Sequence, residues 1–245
     1  MIDAAGKSDI GKVRSTNQDA YHIGSFSPDA AWSVVCDGMG GANAGNVASL
    51  VAVGAISANM DKNYDPNKPS SSIHSLITTA VINANALVYQ KSKQSPDLAG
   101  MGTTVVLTVI KDDMAYIAHV GDSRAYHIKG SEIKQITKDH TMVQYLIEKG
   151  EITTEEAKDH PKKHLITRAV GVEENISVDY NEFEIEKKDK ILICSDGLTN
   201  LVNEDEILSV VSENTSLPDA VDALISLANE RGGNDNITVV VMENC

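Results

Sequence analysis

The chain has 245 residues with 42% hydrophobic content, enough to bury a substantial core in one large domain or two small ones. A formal net charge of -14 excludes a nucleic-acid backbone as the natural partner, because phosphate chains are held by dense Lys/Arg surfaces. Cys36, Cys194 and Cys245 lack metal-ligand spacing and no stretch reaches the roughly 20 apolar residues of a membrane helix. The opening MIDAAGKSDIGK has no apolar signal region, so the expected setting is reducing and cytoplasmic.

In chain order, AWSVV (31–35) is short, apolar and bounded by turn residues, which predicts a strand. Residues 44–60 and 72–93 run too long for strands and carry apolar residues at helical intervals, so they predict two sizeable helices. TTVVLTVI (103–110), MAYIAHV (114–120) and SRAYHI (123–128) predict three more strands. A helix over 141–150 precedes a charged, irregular region from 150 to 170. KILIC (190–194) is a strand, 217–233 a helix with Pro218 at its start and glycines at its end, and NITVVVM (236–242) a final strand. No linker or repeat divides the chain, which predicts a single domain over 1–245. Runs of strands with paired long helices, without strict alternation, predict an α+β layered αββα sandwich in which helices cover antiparallel sheets.

Five aspartates sit at strand boundaries. Asp37, Asp122 and Asp196 follow apolar strands, and Asp19 and Asp235 precede strands. Each alone reads as ordinary turn chemistry. In an antiparallel sheet, however, the exit of one strand lies beside the entry of the next, so all five can gather at one edge. Glycines directly after Asp37 and Asp196 would let the backbone bend and expose a carbonyl, making Gly38 a further oxygen donor. Clustered carboxylates repel one another unless cations neutralise them, and oxygen ligands without Cys or paired His favour Mg²⁺ or Mn²⁺ over zinc. Two such ions about 4 Å apart activate a water for attack on phosphorus. Arg14, five residues before Asp19, supplies a guanidinium that can grip two phosphate oxygens.

The segments SDIGKVRSTNQDA, VVCDGMGG, GMGTTVV, HVGDSRAY, TKDHT, LITRAVG, CSDGL and GGNDNITVVV, in that order, resemble the successive motifs of the metal-dependent type 2C (PPM) serine/threonine protein phosphatases of bacteria. They span nearly the whole chain. The resemblance implies that Asp19, Asp37, Gly38, Asp196 and Asp235 hold a pair of Mn²⁺ or Mg²⁺ ions, some through water. Asp122 with Asp196 would hold a third ion, and Arg14 the substrate phosphate. It further implies a flap over about Asp139 to Gly171, with Asp139, His140 and His160 as weaker candidates there. The implied partners are phosphorylated proteins, including a cognate Ser/Thr kinase and its substrates, met by a monomer.

Two positions depart from eukaryotic members of that family. Gln18 stands where many have a glutamate, lowering the site charge by one, and Met39 stands where they carry a histidine proposed to protonate the leaving alkoxide. A metal-bound water would then supply that proton. His160 and His164 have four-residue spacing, but Pro161 intervenes and they read as solvated flap residues; His119 reads as a packed or capped histidine. Cysteine-phosphatase chemistry is excluded because Ala42 and Asn200 stand six residues after Cys36 and Cys194, where an arginine is needed. No P-loop or kinase triplet occurs. A silent phosphoprotein-binding relative and a sigma-factor regulatory phosphatase are the competing expectations; the intact aspartate set, Arg14 and Asp122 speak against both.

Overall fold

The computed structural model describes residues 1–41 and 44–245. The chain opens with β1 (Ile2–Asp9), β2 (Asp19–Ser27) and β3 (Ala30–Met39), followed by α1 (Ala44–Asn63) and α2 (Ser72–Ser92). A run of strands comes next: β4 (Gly102–Thr103), β5 (Val105–Lys111), β6 (Met114–Val120), β7 (Arg124–Lys129) and β8 (Glu132–Gln135). Two short helices, α3 (Met142–Glu148) and α4 (Thr154–Lys158), lead into β9 (Asp179–Glu184) and β10 (Lys190–Cys194). The chain ends with α5 (Asp196–Thr199), α6 (Glu204–Glu213), α7 (Leu217–Glu230) and β11 (Ile237–Asn244).

One sheet runs β1-β11-β10-β7-β8 and the other β2-β3-β5-β6-β9, with β4 paired to β3; every pairing is antiparallel. The inner faces meet in a buried apolar layer in which Val35, Val106 and Ile117 pack with Ile191, Ile193 and Val240. Helices α1 and α2 cover the outer face of the second sheet through Ala48, Ile56, Ile77 and Val88. Helices α6 and α7 cover the first through Ile207, Val211, Val221 and Leu224. This is the expected four-layer αββα sandwich.

Every predicted strand and helix forms. The sequence had not announced β1, β2, β8, β9 and α6. In β1 and β2 the alternation is broken by polar residues and by Gly6 and Gly24, whose absent side chains make room for Tyr21 and Trp32 of the facing strands. Helix α6 is secured by a capping box in which Asn203 accepts from the Glu206 amide and Glu206 accepts from the Asn203 amide. From Thr141 to β9 the chain crosses the charged stretch through the two capped helices α3 and α4, anchored by pairing of Thr141 with Ile166 and of Thr103 with Val170.

Candidate active site

The two sheets bring their strand ends to one edge, and there the chain collects carboxylates separated by up to 216 residues of sequence. Asp19 at the start of β2 is directly opposite Asp37 near the end of β3. Asp196 follows β10, Asp235 precedes β11, and these strands are themselves neighbours. A cavity of about 680 Å³ opens at this edge, lined by Asp37, Gly38, Asp122, Asp196, Asp235 and Arg14 together with Gln18 and Met39. Asp19 lies just beneath, 7% exposed.

Glycine after the aspartates serves close approach more than bending. Gly38 lies within β3 with no positive φ, but a Cβ there would fall 2.1 Å from the Gly45 carbonyl oxygen. A Cβ on Gly197 would fall 2.0 Å from the Asn236 carbonyl oxygen. The missing side chains thus let α1 lie against the Asp37 loop, and the Asp196 turn against the Asp235 loop.

Hydrogen bonds hold the aspartates from behind. Ser195 Oγ and Thr238 Oγ1 each donate to Asp19 Oδ2 at 2.7 Å. Thr238 in turn accepts from Ser8, and Ser8 from Asn17 Nδ2 at 2.8 Å, so the donors run in one direction toward the carboxylate. The Asp37 amide donates to Thr104 Oγ1, and Asn200 Nδ2 donates to Asp196 Oδ2 at 3.0 Å. Asn236 ties the Arg14 loop down by donating to the carbonyls of Ile10 and Thr16 and accepting from the Gln18 amide. Arg14 Nη2 donates to Asp235 Oδ2 at 2.7 Å, which aims the guanidinium over the cavity.

The electrostatics are those of an uncompensated anionic nest. Burial, with the charges of Asp196 and Asp235 adding to it, pushes Asp19 up to about 7. Burial and the charge of Asp196 do the same to Asp122, also to about 7. Asp37 is driven well above the usual carboxylate range by burial and then by Asp19, and Asp196 is raised by burial and then by Asp235. Asp37 and Asp196 line the same cavity, and carboxylates gathered so closely need a shared proton or a cation between them. Asp19 Oδ1 is buried without any hydrogen-bond partner. An orphaned carboxylate oxygen beside three further carboxyls and a backbone carbonyl is the donor set a hard divalent cation requires, so the residues present fit such ions.

The weaker flap candidates lie off the cavity. Asp139 clamps Arg124, accepting from Nε at 3.0 Å and Nη2 at 2.7 Å. His160 Nδ1 accepts from the Lys162 amide in a local turn. His140 is buried, and its Nδ1 accepts from the Gly121 amide at 3.0 Å, placing the ring hydrogen on Nε2 toward Asp179 Oδ2. Burial and the neighbouring His119 hold His140 down to about 4. His119 is packed, as expected, with Nε2 bonded to the Lys138 carbonyl. His119, His140 and Asp179 offer ligand atoms within 4.8 Å of one another. Their imidazoles, however, are stacked with centroids 4.7 Å apart and planes 16° apart, so in-plane lone pairs cannot converge on one ion. Arg168, paired with Asp179, already supplies the positive charge there.

His164, expected as a solvated flap residue, is exposed and also lines the cavity, as does Lys163, which the sequence did not single out. Both come from the loop after α4 and sit on the cavity wall opposite the strand-end carboxyls. Only the closure of the 139–171 segment over the sheet edge reveals this, because His164 lies 32 residues from Asp196.

A two-sheet sandwich with carboxylates gathered at one edge beside an arginine defines a metal-dependent phosphoester hydrolase. The chain belongs to the protein phosphatase 2C family, matching it over residues 5–237, and is a serine/threonine protein phosphatase of that family. It is 36% identical over 242 residues to the serine/threonine phosphatase stp of Listeria welshimeri, covering 99% of this chain and 96% of that one. The structure of the serine/threonine phosphatase Stp1 from Staphylococcus aureus superimposes with a TM-score of 0.93 at 32% identity, covering 99% of this chain and 95% of that one. The catalytic domain of the phosphatase PstP, solved with 2 manganese ions, superimposes with a TM-score of 0.86 at 34% identity, covering 99% of this chain and 97% of that one. No described helix is long and apolar enough to cross a membrane.

Proposed function

We propose that Asp19, Asp37, the Gly38 carbonyl, Asp196 and Asp235 hold two Mn²⁺ or Mg²⁺ ions, that Asp122 with Asp196 serves a third, and that Arg14 binds the phosphate of a phosphoserine or phosphothreonine. The observation that carries this reading is the orphaned, buried Asp19 Oδ1 among carboxyls whose proton affinities are raised by burial and then by one another. Bound there, the cations would neutralise the carboxylates, polarise the phosphoryl oxygens and supply an acidic water as nucleophile. The chain's own residues do the rest. Ser195 and Thr238 fix the orientation of Asp19, Asn200 that of Asp196, and Arg14 holds phosphate oxygens against the charge that grows on them during transfer.

The chain 1–245 works as one catalytic domain, a monomer in the cytoplasm, opposing a Ser/Thr kinase and acting on that kinase and its substrates. The free thiols of Cys36, Cys194 and Cys245 suit a reducing compartment. Hydrolysis of p-nitrophenyl phosphate and of a phosphothreonine peptide, compared in EDTA, Mg²⁺ and Mn²⁺, tests the site. Turnover should require metal, vanish in Asp37→Asn, and show a raised KM and lowered kcat in Arg14→Ala. Folded protein that binds Mn²⁺ yet turns over neither substrate would point instead to a silent binding relative.

A further inference from the structure

Side-chain donors fix Asp19 and Asp196 from behind, but the Asp122 carboxylate accepts from no side chain among the described residues. Its place at the cavity therefore depends on the backbone turn that carries it, Gly121 to Ser123, between β6 and β7. Gly121 takes φ +108°, and a Cβ there would lie 2.6 Å from Thr104 Cγ2, so the turn is pressed against that side chain. On one side of Asp122, Ser123 Oγ meets Thr104 Oγ1 at 2.7 Å.

On the other side the turn is held by His140, and held twice. The His140 amide donates to the Gly121 carbonyl at 2.9 Å, while the Gly121 amide donates to His140 Nδ1 at 3.0 Å. One residue thus satisfies both backbone polar groups of the glycine that precedes Asp122. The ring is itself locked. Because Nδ1 accepts, the ring hydrogen sits on Nε2 and is directed at Asp179 Oδ2, 3.3 Å away, and Arg168 Nη1 donates to Oδ1 of the same carboxylate. Arg168 Nη1 also lies 3.1 Å from Nε2, so two donors share the Asp179 carboxylate. The His119 ring stacks on the imidazole and is anchored through its own Nε2 to the Lys138 carbonyl. So many restraints on a buried ring that lies off the cavity go beyond what filling space requires.

We propose that His140 is a positioning residue of this phosphatase: through Nδ1 it holds the Gly121 amide and so fixes where the Asp122 carboxylate meets the cavity. This rests on the assignment of Asp122 to metal binding above. His140 touches neither ion nor substrate and acts as an uncharged acceptor, with Asp179 and Arg168 setting the tautomer that leaves Nδ1 free to accept.

The test separates the two ring nitrogens. In His140→Asn the side-chain oxygen stands near the place of Nδ1 and still accepts from Gly121. In His140→Gln the longer amide reaches toward Asp179 and leaves the Gly121 amide bare, and His140→Leu removes both bonds. All three lose the ring and its stacking on His119, while the backbone bond to the Gly121 carbonyl survives in each. In metal-free protein, hydrogen exchange at the Gly121 amide should be faster in His140→Gln and His140→Leu and close to the parent in His140→Asn. Titration calorimetry should show the weakest-bound Mn²⁺ losing about 10-fold or more in affinity in the first two variants, with kcat at limiting Mn²⁺ falling alongside, and His140→Asn restoring both. Added to Asp122→Ala, His140→Leu should cost nothing further in kcat or Mn²⁺ affinity, since no carboxylate is left to place. Equal losses in all three variants, or losses that multiply in the double variant, would overturn the proposal and leave His140 as packing alone. Parental Mn²⁺ binding and turnover in Asp122→Ala would instead defeat the assignment of Asp122, and the role of His140 with it. Trp32 fluorescence checks folding, and the comparison of asparagine with glutamine stands by itself should the leucine variant not fold.

Discussion

The stability of the metal-free protein should fall as pH rises through the range in which its buried aspartates lose their protons, and bound Mn²⁺ should remove that fall. Asp19 and Asp122 have folded pKa values of about 7 against 3.8 for the free group. Between those values the folded chain holds protons that the unfolded chain has released, so each carboxyl costs about 1.4 kcal/mol of stability per pH unit, or about 4 kcal/mol across the window. His140 works in the opposite direction. Its folded value of about 4 lies below the free value of 6.5, so its contribution rises with pH between them, equally with and without metal. The difference between the two states therefore isolates the carboxylates. Urea unfolding followed through Trp32, the sole tryptophan and 1% exposed, gives that difference directly. The stabilisation by saturating Mn²⁺ should grow by at least about 1.4 kcal/mol per unit from about pH 5 to pH 7, and more slowly above as Asp19 and Asp122 ionise unaided. A metal increment that is flat over that range would refute the placement of the ions on these carboxyls.

Three other outcomes follow from particular contacts. Gly197→Ala, whose Cβ would meet the Asn236 carbonyl at 2.0 Å, should separate the Asp196 and Asp235 loops and weaken Mn²⁺ binding measured by titration calorimetry, with turnover recovering only partly at high metal. Met39→Ala should alter kcat on a phosphothreonine peptide only modestly; a large rate loss with intact Mn²⁺ binding would place Met39 in the chemistry. Asp139→Ala removes three bonds from the half-buried Arg124 guanidinium and should lower stability by about 2 kcal/mol or more in urea, while kcat at saturating Mn²⁺ stays near the parent value.

The framework was legible wherever burial imposes an uninterrupted apolar pattern. Strands β5, β6, β10 and β11 and helices α1, α2 and α7 read directly from sequence because they are buried on one or both faces. Strands β1 and β2 did not, since each carries polar residues and a glycine whose purpose is visible only against the facing Tyr21 or Trp32 ring. In the site, the strand-boundary rule placed Asp37, Asp122, Asp196 and Asp235 at one cavity and Asp19 directly below it. The role of the following glycines was misjudged, because close contact between chain segments leaves no trace in a single segment. Asp139 and His140 looked like site residues through their motif, yet they serve Arg124 and the Gly121 turn behind the wall. His164 looked like solvent-facing loop because its neighbour across the cavity is distant in sequence.

The strand order has a bearing on when this enzyme can begin to act. β11 lies between β1 and β10, which are far apart in sequence, and Asp235 takes its place in the site only as β11 docks between them. Ser195 and Thr238 likewise need that strand to complete their grip on Asp19. Without β11 in place, Arg14, Asp19 and Asp37 lack a closed first sheet, and with it the geometry that would let cations settle on those carboxyls. Pairing of β11 thus brings in a carboxylate and the second hydroxyl on Asp19 together, so closing the first sheet and completing the edge where cations would settle are one event.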